Sequence, residues 1–498
     1  MDHKTAIIGS GFAGLSAACY LAANGHSVEV YEKNELLGGR ARQFKTDNGY
    51  TFDMGPSWYW MPEIFDKFFS DFNKNTSDVL DLIKLDPAFT VIFKNEELKI
   101  PDHPDQLAAL FESIEAGAGR KLHDFMDEAG QKYELGIKEL MYKPSLSLFE
   151  FANYDLLKGF IKLDVFSSFS KHVRKYFKDP KLISIMEFPV LFLGAMPKDT
   201  PALYSLMNYA GLMRGTWYPI GGFGKVIEAM TDIARSLGVK FHVNSEVEEV
   251  KVQKNRANSL IVNGSAIQID SVIATADYHH IEDRLLPEAY RNYDDNYWQN
   301  KTFAPSCLIY YLGVKKKLPA LDHHNLFFDE DLNPHAEDIY IKKRWPSDPL
   351  FYVCCPSKSD KTVAPDNHEN LFLLMPIAAG IRDDNETREK YFEIMIERLQ
   401  EYCGENIVDS IDFKQSYCVE DFKADYNAYK GNAYGLANTL MQTGTFKPKM
   451  INKKIKNLFY AGQLTVPGPG VPPSIISGKI AADLLIKQTK KEKIEVSI

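Results

Sequence analysis

Near its start the chain runs an apolar strand into a glycine-rich turn and then into a helix, and no other stretch restricts its fold as strongly. Ala6-Ile7-Ile8 leads into Gly9-Ser10-Gly11-Phe12-Ala13-Gly14, after which Leu15, Ala18, Leu21 and Ala22 recur at helical spacing. A second apolar strand over residues 27–31 ends on Glu32. That acid stands about 20 residues beyond Gly14, where a βαβ dinucleotide unit places the carboxylate that grips a ribose. Glycines in a turn can serve the turn alone, but here strand, helix and terminal acid all accompany them. Gly9 permits the tight turn, Gly11 lets backbone approach a pyrophosphate, and Gly14 lets helix pack closely on strand. The helix N-terminus adds unpaired N–H groups and the positive end of its dipole, so a dinucleotide is the ligand this unit suits.

Further motifs lie downstream. Lys33 follows Glu32, then come Gly38-Gly39-Arg40, Arg42 and Phe52-Asp53-Met54-Gly55-Pro56-Ser57. An arginine after two glycines can lay a planar guanidinium on phosphate or ring carbonyls, although alone both arginines read equally well as surface groups. Helical sequence is expected over residues 104–142. Tyr218-Pro219-Ile220-Gly221-Gly222 opens a helix-then-strands block that passes Val247 and closes at Ala276-Asp277-Tyr278-His279-His280. Apolar strands over residues 306–313, 350–355 and 371–377, with a helix over 386–402, predict a second, mostly buried sheet. Finally Leu458-Phe459-Tyr460-Ala461-Gly462-Gln463 is a strand opening into Gly468-Pro469-Gly470-Val471-Pro472-Pro473 and a helix, a second strand-turn-helix.

The opening run through Arg40 resembles the FAD-binding start of the flavoprotein superfamily that contains amine oxidases, protoporphyrinogen oxidase, carotenoid desaturases and Rab GDP-dissociation inhibitors. The closing run, with the motifs at residues 218–222 and 276–280, resembles bacterial-type phytoene desaturases in order and along nearly the whole chain. Gly55-Pro56-Ser57-Trp58-Tyr59-Trp60-Met61-Pro62 is most similar to those of carotenoid-producing flavobacteria. The resemblance implies an α/β fold: a Rossmann-type FAD-binding domain from residues 1–75, 218–285 and 436–498, and a mixed-sheet substrate domain with a helical lid from residues 76–217 and 286–435. It implies cofactor contacts from Gly9, Gly11, Phe12, Ala13, Gly14, Glu32, Lys33, Gly39, Arg40, Arg42, Gly55, Pro56, Ser57, Val247, Ala276, Gly462, Gln463, Gly470, Val471 and Pro472. Gln463 stands where related flavoproteins often carry an acid. Glu32, an acid and not a base, favours the free ribose hydroxyls of FAD.

The implied activity is removal of hydrogen from a C40 carotenoid, first of all phytoene to lycopene by successive two-hydrogen steps. The alternatives are a hydroxycarotenoid 3,4-desaturase or another flavin oxidase. A different class, an escort protein that binds prenyl lipid without redox chemistry, shares the fold, but the intact glycines, Glu32 and Arg40 disfavour it. No second GxGxxG follows a strand, and no Ser/His/Asp set or metal-ligand set is visible, so FAD is the one cofactor expected and carries the chemistry. A membrane quinone or oxygen would then take the electrons. No catalytic base is legible: Glu187, Asp199, Lys171 and Arg174 are expected at the surface, and His279 and His280 in a loop. Trp58, Tyr59, Trp60, Phe65, Phe68, Phe69 and Phe72 suit a core or a polyene tunnel equally.

Against 58 Lys+Arg the chain sets 67 Asp+Glu, a net charge of -9 that argues against nucleic acid as a partner. Its six cysteines form no CxxC pair and read as buried thiols in a reducing cytoplasm. The chain reaches Ala6-Ile7-Ile8 too soon for a secretory signal, and its most apolar stretch, residues 182–196, falls short of a spanning helix. Residues 146–177 interleave aromatics with lysines, as an interfacial helix does. A carotene gains little in passing from lipid to an apolar tunnel, whereas crossing water is prohibitive. A cytoplasmic protein attached peripherally to the membrane surface is therefore expected, with its tunnel mouth at the bilayer.

Overall fold

The computed structural model describes residues 3–147, 150, 167–191 and 194–496. A five-stranded parallel sheet carries the nucleotide-type unit in the spatial order Leu458–Tyr460, Ser271–Ala274, Lys4–Ile8, Ser27–Tyr31, Lys240–His242. Its apolar strands Lys4–Ile8, Ser271–Ala274 and Leu458–Tyr460 are buried on both faces, as parallel strands require, while the edge strand Lys240–His242 is partly exposed. Side chains alternate across the pleat. Ile7, Val30 and Ile273 point toward helices Phe12–Ala23, Phe223–Ser236 and Val471–Val496. Ala6, Ile8, Val272 and Ala274 point the other way, into a core shared with a three-stranded antiparallel sheet over residues 247–268.

The second sheet has seven strands, in the order Ile411–Tyr417, Ser306–Val314, Glu369–Ile377, Phe351–Cys354, His324–Phe327, Phe89–Phe93, Glu96–Ile100. It is mixed: His324–Phe327 runs parallel to Phe89–Phe93, and the other pairings are antiparallel. The period of two again assigns the faces. Leu308, Tyr310, Leu371 and Leu373 pack against Phe392, Met395 and Leu399 of helix Asn385–Cys403. Cys307, Ile309, Tyr352 and Leu374 face the opposite way, into the interior between the two sheets.

Three local expectations change. The helical run over residues 104–142 is two helices, Pro104–Ile114 and Ala118–Leu135, because Gly117 takes φ +79 and breaks the first from the second. Glu187 is not at the surface: it is 5% exposed inside helix Pro180–Leu191 and ion-paired with Arg174. A buried carboxylate is held only if paired, which is what the lone reading of its polarity could not include. Most of the segment proposed to face the membrane, residues 148–149 and 151–166, lies outside the described residues. Its described end turns inward, since Phe169, Val173 and Phe177 are buried and Phe177 stacks edge-on against Phe111 at 5.4 Å. Among the described residues no helix is long and apolar enough to cross a membrane.

Candidate active site

A single cavity of about 630 Å³ runs from the Gly9–Gly11 turn, past the closing glycines, to an apolar end between the sheets. The turn is fastened at its base by Gly9 N–H donating to Tyr31 O at 2.9 Å and Thr275 Oγ1 donating to Gly9 O at 2.9 Å. Its glycines divide the work. A Cβ on Gly9 would lie 3.1 Å from Thr275 Oγ1, on a backbone at φ +99. A Cβ on Gly14 would lie 2.1 Å from Gly9 O, and one on Gly478 would lie 2.2 Å from Ala13 O, where the closing helix crosses the first helix. Gly11 is different, because a Cβ there meets no protein atom within 4 Å and would project into open space.

Glu32 sits 5% exposed at the end of its strand. Its Oε2 accepts from Ser10 N (3.0 Å) and Ser10 Oγ (2.7 Å), and its Oε1 accepts from Asn34 N and Nδ2, both at 3.0 Å. The carboxylate is thus held in place beside the turn, with the cavity in front of it. Across the cavity Arg40 lies over the Tyr426 ring at 4.8 Å and donates to Asn432 O at 3.3 Å, but its buried Nε has no partner. Burial lowers the Arg40 pKa, and no carboxylate among the described residues forms an ion pair with it. With its amide oxygen turned toward donors, Gln463 accepts from Arg40 Nη2 at 3.1 Å. The Asp277 carboxylate acts on the guanidinium only through space, and at position 463 a neutral amide adds no second negative charge, where an acid would pair with Arg40 directly.

Open space at Gly11, a fixed carboxylate at Glu32 and a guanidinium at Arg40 without a direct ion pair among the described residues fit the pyrophosphate and ribose of a dinucleotide. The residues expected to hold the cofactor line this one cavity, from Phe12 and Ala13 through Lys33, Gly39, Gly55, Pro56, Ser57, Val247 and Ala276 to Gly462, Gly470, Val471 and Pro472. Gly14 and Arg42 do not. Gly14 is spent on helix packing, and Arg42 is ion-paired with Asp425 and bonded to Tyr426 Oη, an arrangement that braces the wall. The closing loop is tied down by Gly462 N–H donating to Ser477 Oγ at 3.0 Å, and prolines 472 and 473 open the last helix where missing N–H groups cost nothing.

The other end is apolar. Leu140, Met141, Leu203, Leu206 and Met207 line it, with Ile309 and Leu374 from the mixed sheet. The aromatic cluster divides: Trp58 and Trp60 line the cavity, while Tyr59, Phe65, Phe68 and Phe69 are core. Leu440 and Phe446 stand at the cavity and remain 44% and 46% exposed, with neighbouring Met441 65% exposed. His280 also lines the cavity, its N–H capped by Asp277 Oδ1 at 3.3 Å, and burial lowers its pKa to about 4, so it is neutral near pH 7.

Sequence reading found no Cys/His cluster, yet the pairing of His324 with Cys354 across strands brings His323, His324 and Cys354 together, all buried. Their ligating atoms span up to 4.8 Å, wider than the roughly 3.5 Å between donors of a tetrahedral zinc site. His324 instead stacks flat on Trp58 at 4.1 Å and bonds Tyr352 Oη at 2.6 Å, stiffening the wall behind the cavity. Residues that no motif announced also shape the site: Tyr426 under Arg40, Asn432 beside it, and Asn438 in the far wall. Tyr426 ends the short helix Val419–Tyr426, and Asn432 and Asn438 lie in the irregular stretch that follows it, whose sequence carries no periodic signal.

Similarity to known proteins is extensive. The profile of the flavin containing amine oxidoreductase family matches residues 12–486. The carotenoid 3,4-desaturase of Haloarcula japonica is 40% identical over 97% of this chain and 97% of its own. The 4,4'-diapophytoene desaturase (4,4'-diaponeurosporene-forming) of Staphylococcus haemolyticus is 30% identical over 98% and 99%. Among solved structures, an oxidoreductase from Methanosarcina mazei superposes with TM-score 0.64 at 17% identity, covering 96% of this chain and 100% of that one. Cyclohexylamine oxidase from Brevibacterium oxydans does so with TM-score 0.58 at 13% identity, covering 98% and 100%. The two structures speak for the fold.

Proposed function

Because the chain belongs to the flavin containing amine oxidoreductase family, and with it to the carotenoid desaturases, we propose that it is an FAD-dependent desaturase of a C40 carotenoid. The observation that carries the reading is the continuity of one cavity from a dinucleotide corner to an apolar end lined by leucine, methionine and tryptophan. A long hydrocarbon laid in that end brings its carbons toward the cofactor without needing a polar recognition group.

FAD supplies a two-electron acceptor for hydride. The chain's own part is to bind, orient and exclude water. Gly11 and the first helix's N-terminus would hold the pyrophosphate, Glu32 the ribose, and Arg40 with Gln463 the polar edge of the cofactor. Ile309, Leu374 and Trp60 would align the polyene.

Phytoene, taken to lycopene, is the substrate proposed first. A second reading, 3,4-desaturation with a hydroxylated carotenoid as substrate, is favoured by the 40% identity to a carotenoid 3,4-desaturase. Pigment analysis separates them: cells that accumulate phytoene should turn red on expressing the chain under the first reading. Under the second they should stay colourless, while cells holding a hydroxylated acyclic carotenoid gain one further conjugated bond. Failure of both would remove the desaturase assignment.

The exposed Leu440 and Phe446 at the cavity, with exposed Met441 beside them, support a mouth that meets the bilayer, since a polyene leaves lipid only into another apolar place. Wild-type protein should float with liposomes, and Leu440→Asp with Phe446→Asp should cut recovery several-fold without loss of FAD. Wild type that stays with the soluble fraction at low and moderate salt would remove this part of the reading. A quinone dissolved in the same bilayer is the proposed electron acceptor, with oxygen as substitute.

A further inference from the structure

The far wall of the cavity conceals a charge that no described residue answers. Lys447 is 2% exposed, and its Nζ is buried without a hydrogen-bond partner or a carboxylate within ion-pair distance among the described residues. Beside it, Asn438 is 2% exposed with Oδ1 likewise unpartnered. Both close on Gly468: a Cβ there would stand 3.6 Å from Lys447 Nζ, 3.4 Å from its Cε and 3.5 Å from Asn438 Oδ1. Asn438 and Gly468 are themselves cavity wall, so one backbone residue's thickness separates the ammonium from whatever fills the space.

The position along the cavity identifies that occupant. Gly468 precedes Val471, the first residue of the closing helix, and this helix crosses the first turn of the first helix at Gly478. Seven residues at 1.5 Å each put the closing helix's N-terminus about 10 Å beyond the pyrophosphate corner. With a dinucleotide anchored at Gly11 and Glu32, the part of FAD that would reach that point is its redox end. A buried, unpaired ammonium is costly. It is tolerable if the group is neutral until a negative charge arrives beside it.

We propose that Lys447 holds the proton released with each double bond, so that an ammonium stands next to the cofactor once the cofactor has taken two electrons. This rests on the reading of the cavity as an FAD site for desaturation. From adjacent carbons one hydrogen leaves as hydride, its two electrons passing to FAD. The other leaves as a proton, and its C–H electron pair becomes the new π bond. The proton ends on the Nζ amine. When a quinone reoxidises the cofactor, two electrons, that proton and the hydride's proton leave together as quinol, and Nζ is neutral again.

The surroundings agree. Burial, with a smaller push from the like charge of Lys301, lowers the Lys447 pKa to about 7, so the amine form is available near neutrality. Asn438 is neutral, and among the described residues Lys301 is the charge that acts on Nζ. Nearby negative charge would raise the pKa again, which is what proton uptake on reduction requires.

Sulfite tests this without carotenoid, because it adds to oxidised flavin and leaves negative charge on the ring. FAD-loaded wild type, Lys447→Met and Lys447→Arg are titrated with sulfite from about pH 6 to pH 9. The ratio of two proteins' constants cancels sulfite's own ionisation. Wild type should bind about tenfold or more tightly than Lys447→Met near pH 6, with the ratio falling toward one by pH 9. Lys447→Arg, permanently charged, should match wild type near pH 6 and hold its affinity at pH 9. A Lys447→Met protein with wild-type affinity at every pH, or an Arg variant with the wild-type pH profile, overturns the proposal, as does wild type that binds no sulfite near pH 6. If the Met variant does not load FAD, the Arg comparison decides alone. A chain that passes this test but leaves phytoene and hydroxylated carotenoids unchanged would disprove the desaturase reading separately.

Discussion

Valine at position 11 is expected to give a folded protein that has lost its FAD. A Cβ added there meets no protein atom within 4 Å and projects into open space, and the backbone at Gly11, φ -68 and ψ 179, is one that any residue adopts. Nothing in the free chain therefore resists Gly11→Val. What it obstructs is the approach of the pyrophosphate to the N–H groups of the first helix, and a displaced diphosphate forfeits several charge-assisted bonds together. Affinity should fall at least about a hundredfold, and the purified variant should be colourless with a thermal midpoint within a few degrees of apo wild type. Flavin content equal to wild type would show that the turn is not the cofactor's anchor.

Three residues on, the same substitution should act on the fold. In Gly14→Val the Cβ would fall 2.1 Å from Gly9 O, a backbone atom held by Thr275 Oγ1 and by the strand on either side. Neither partner can yield, since Gly9 is fixed to Tyr31 and the helix is pressed from behind by Gly478 against Ala13 O. Overpacking of this kind costs about 3 kcal/mol or more, a large share of a domain's stability. The variant is expected to express as insoluble or protease-sensitive chain, and FAD should not rescue it. A Gly14→Val protein as stable as wild type would mean that helix and strand pack less closely than described. The pair thus separates the two jobs that one motif combines.

These two glycines also show why part of the molecule was legible from sequence. Local rules with strong steric content, such as the glycine turn, the acid at the end of residues 27–31 and the period of the apolar strands, survive in any context. The strand Ser306–Val314 was readable because it is apolar on both faces. His324–Phe327 was not, since it opens on a histidine and an asparagine, with His323 just before it, and these polar side chains are buried against Tyr352, Val353 and Ser359, partners from other strands and loops. Ile411–Tyr417 escaped for the opposite reason, being a half-exposed edge strand with charged positions. At the site, the cofactor corner comes from three glycine-rich stretches, each announcing itself. Tyr426 at the end of helix Val419–Tyr426, and Asn432, Asn438 and Lys447 from the irregular chain after it, take their places from tertiary packing alone. Arg42 illustrates the limit from the other side: its motif places it with Arg40, but Asp425 on a distant helix captures it.

The claim on which the account turns is that the apolar end and the dinucleotide corner are one reacting site. The direct measurement is anaerobic: FAD-loaded protein in liposomes carrying phytoene or, under the second reading, a hydroxylated acyclic carotenoid, with flavin and polyene absorption followed together. The account predicts that the flavin bleaches while one new double bond forms per flavin, that the reaction then stops, and that added quinone restarts it where NADP+ does not. Carotenoid that binds while the flavin stays oxidised and no double bond forms would contradict it, leaving a lipid-binding protein on a flavoprotein fold.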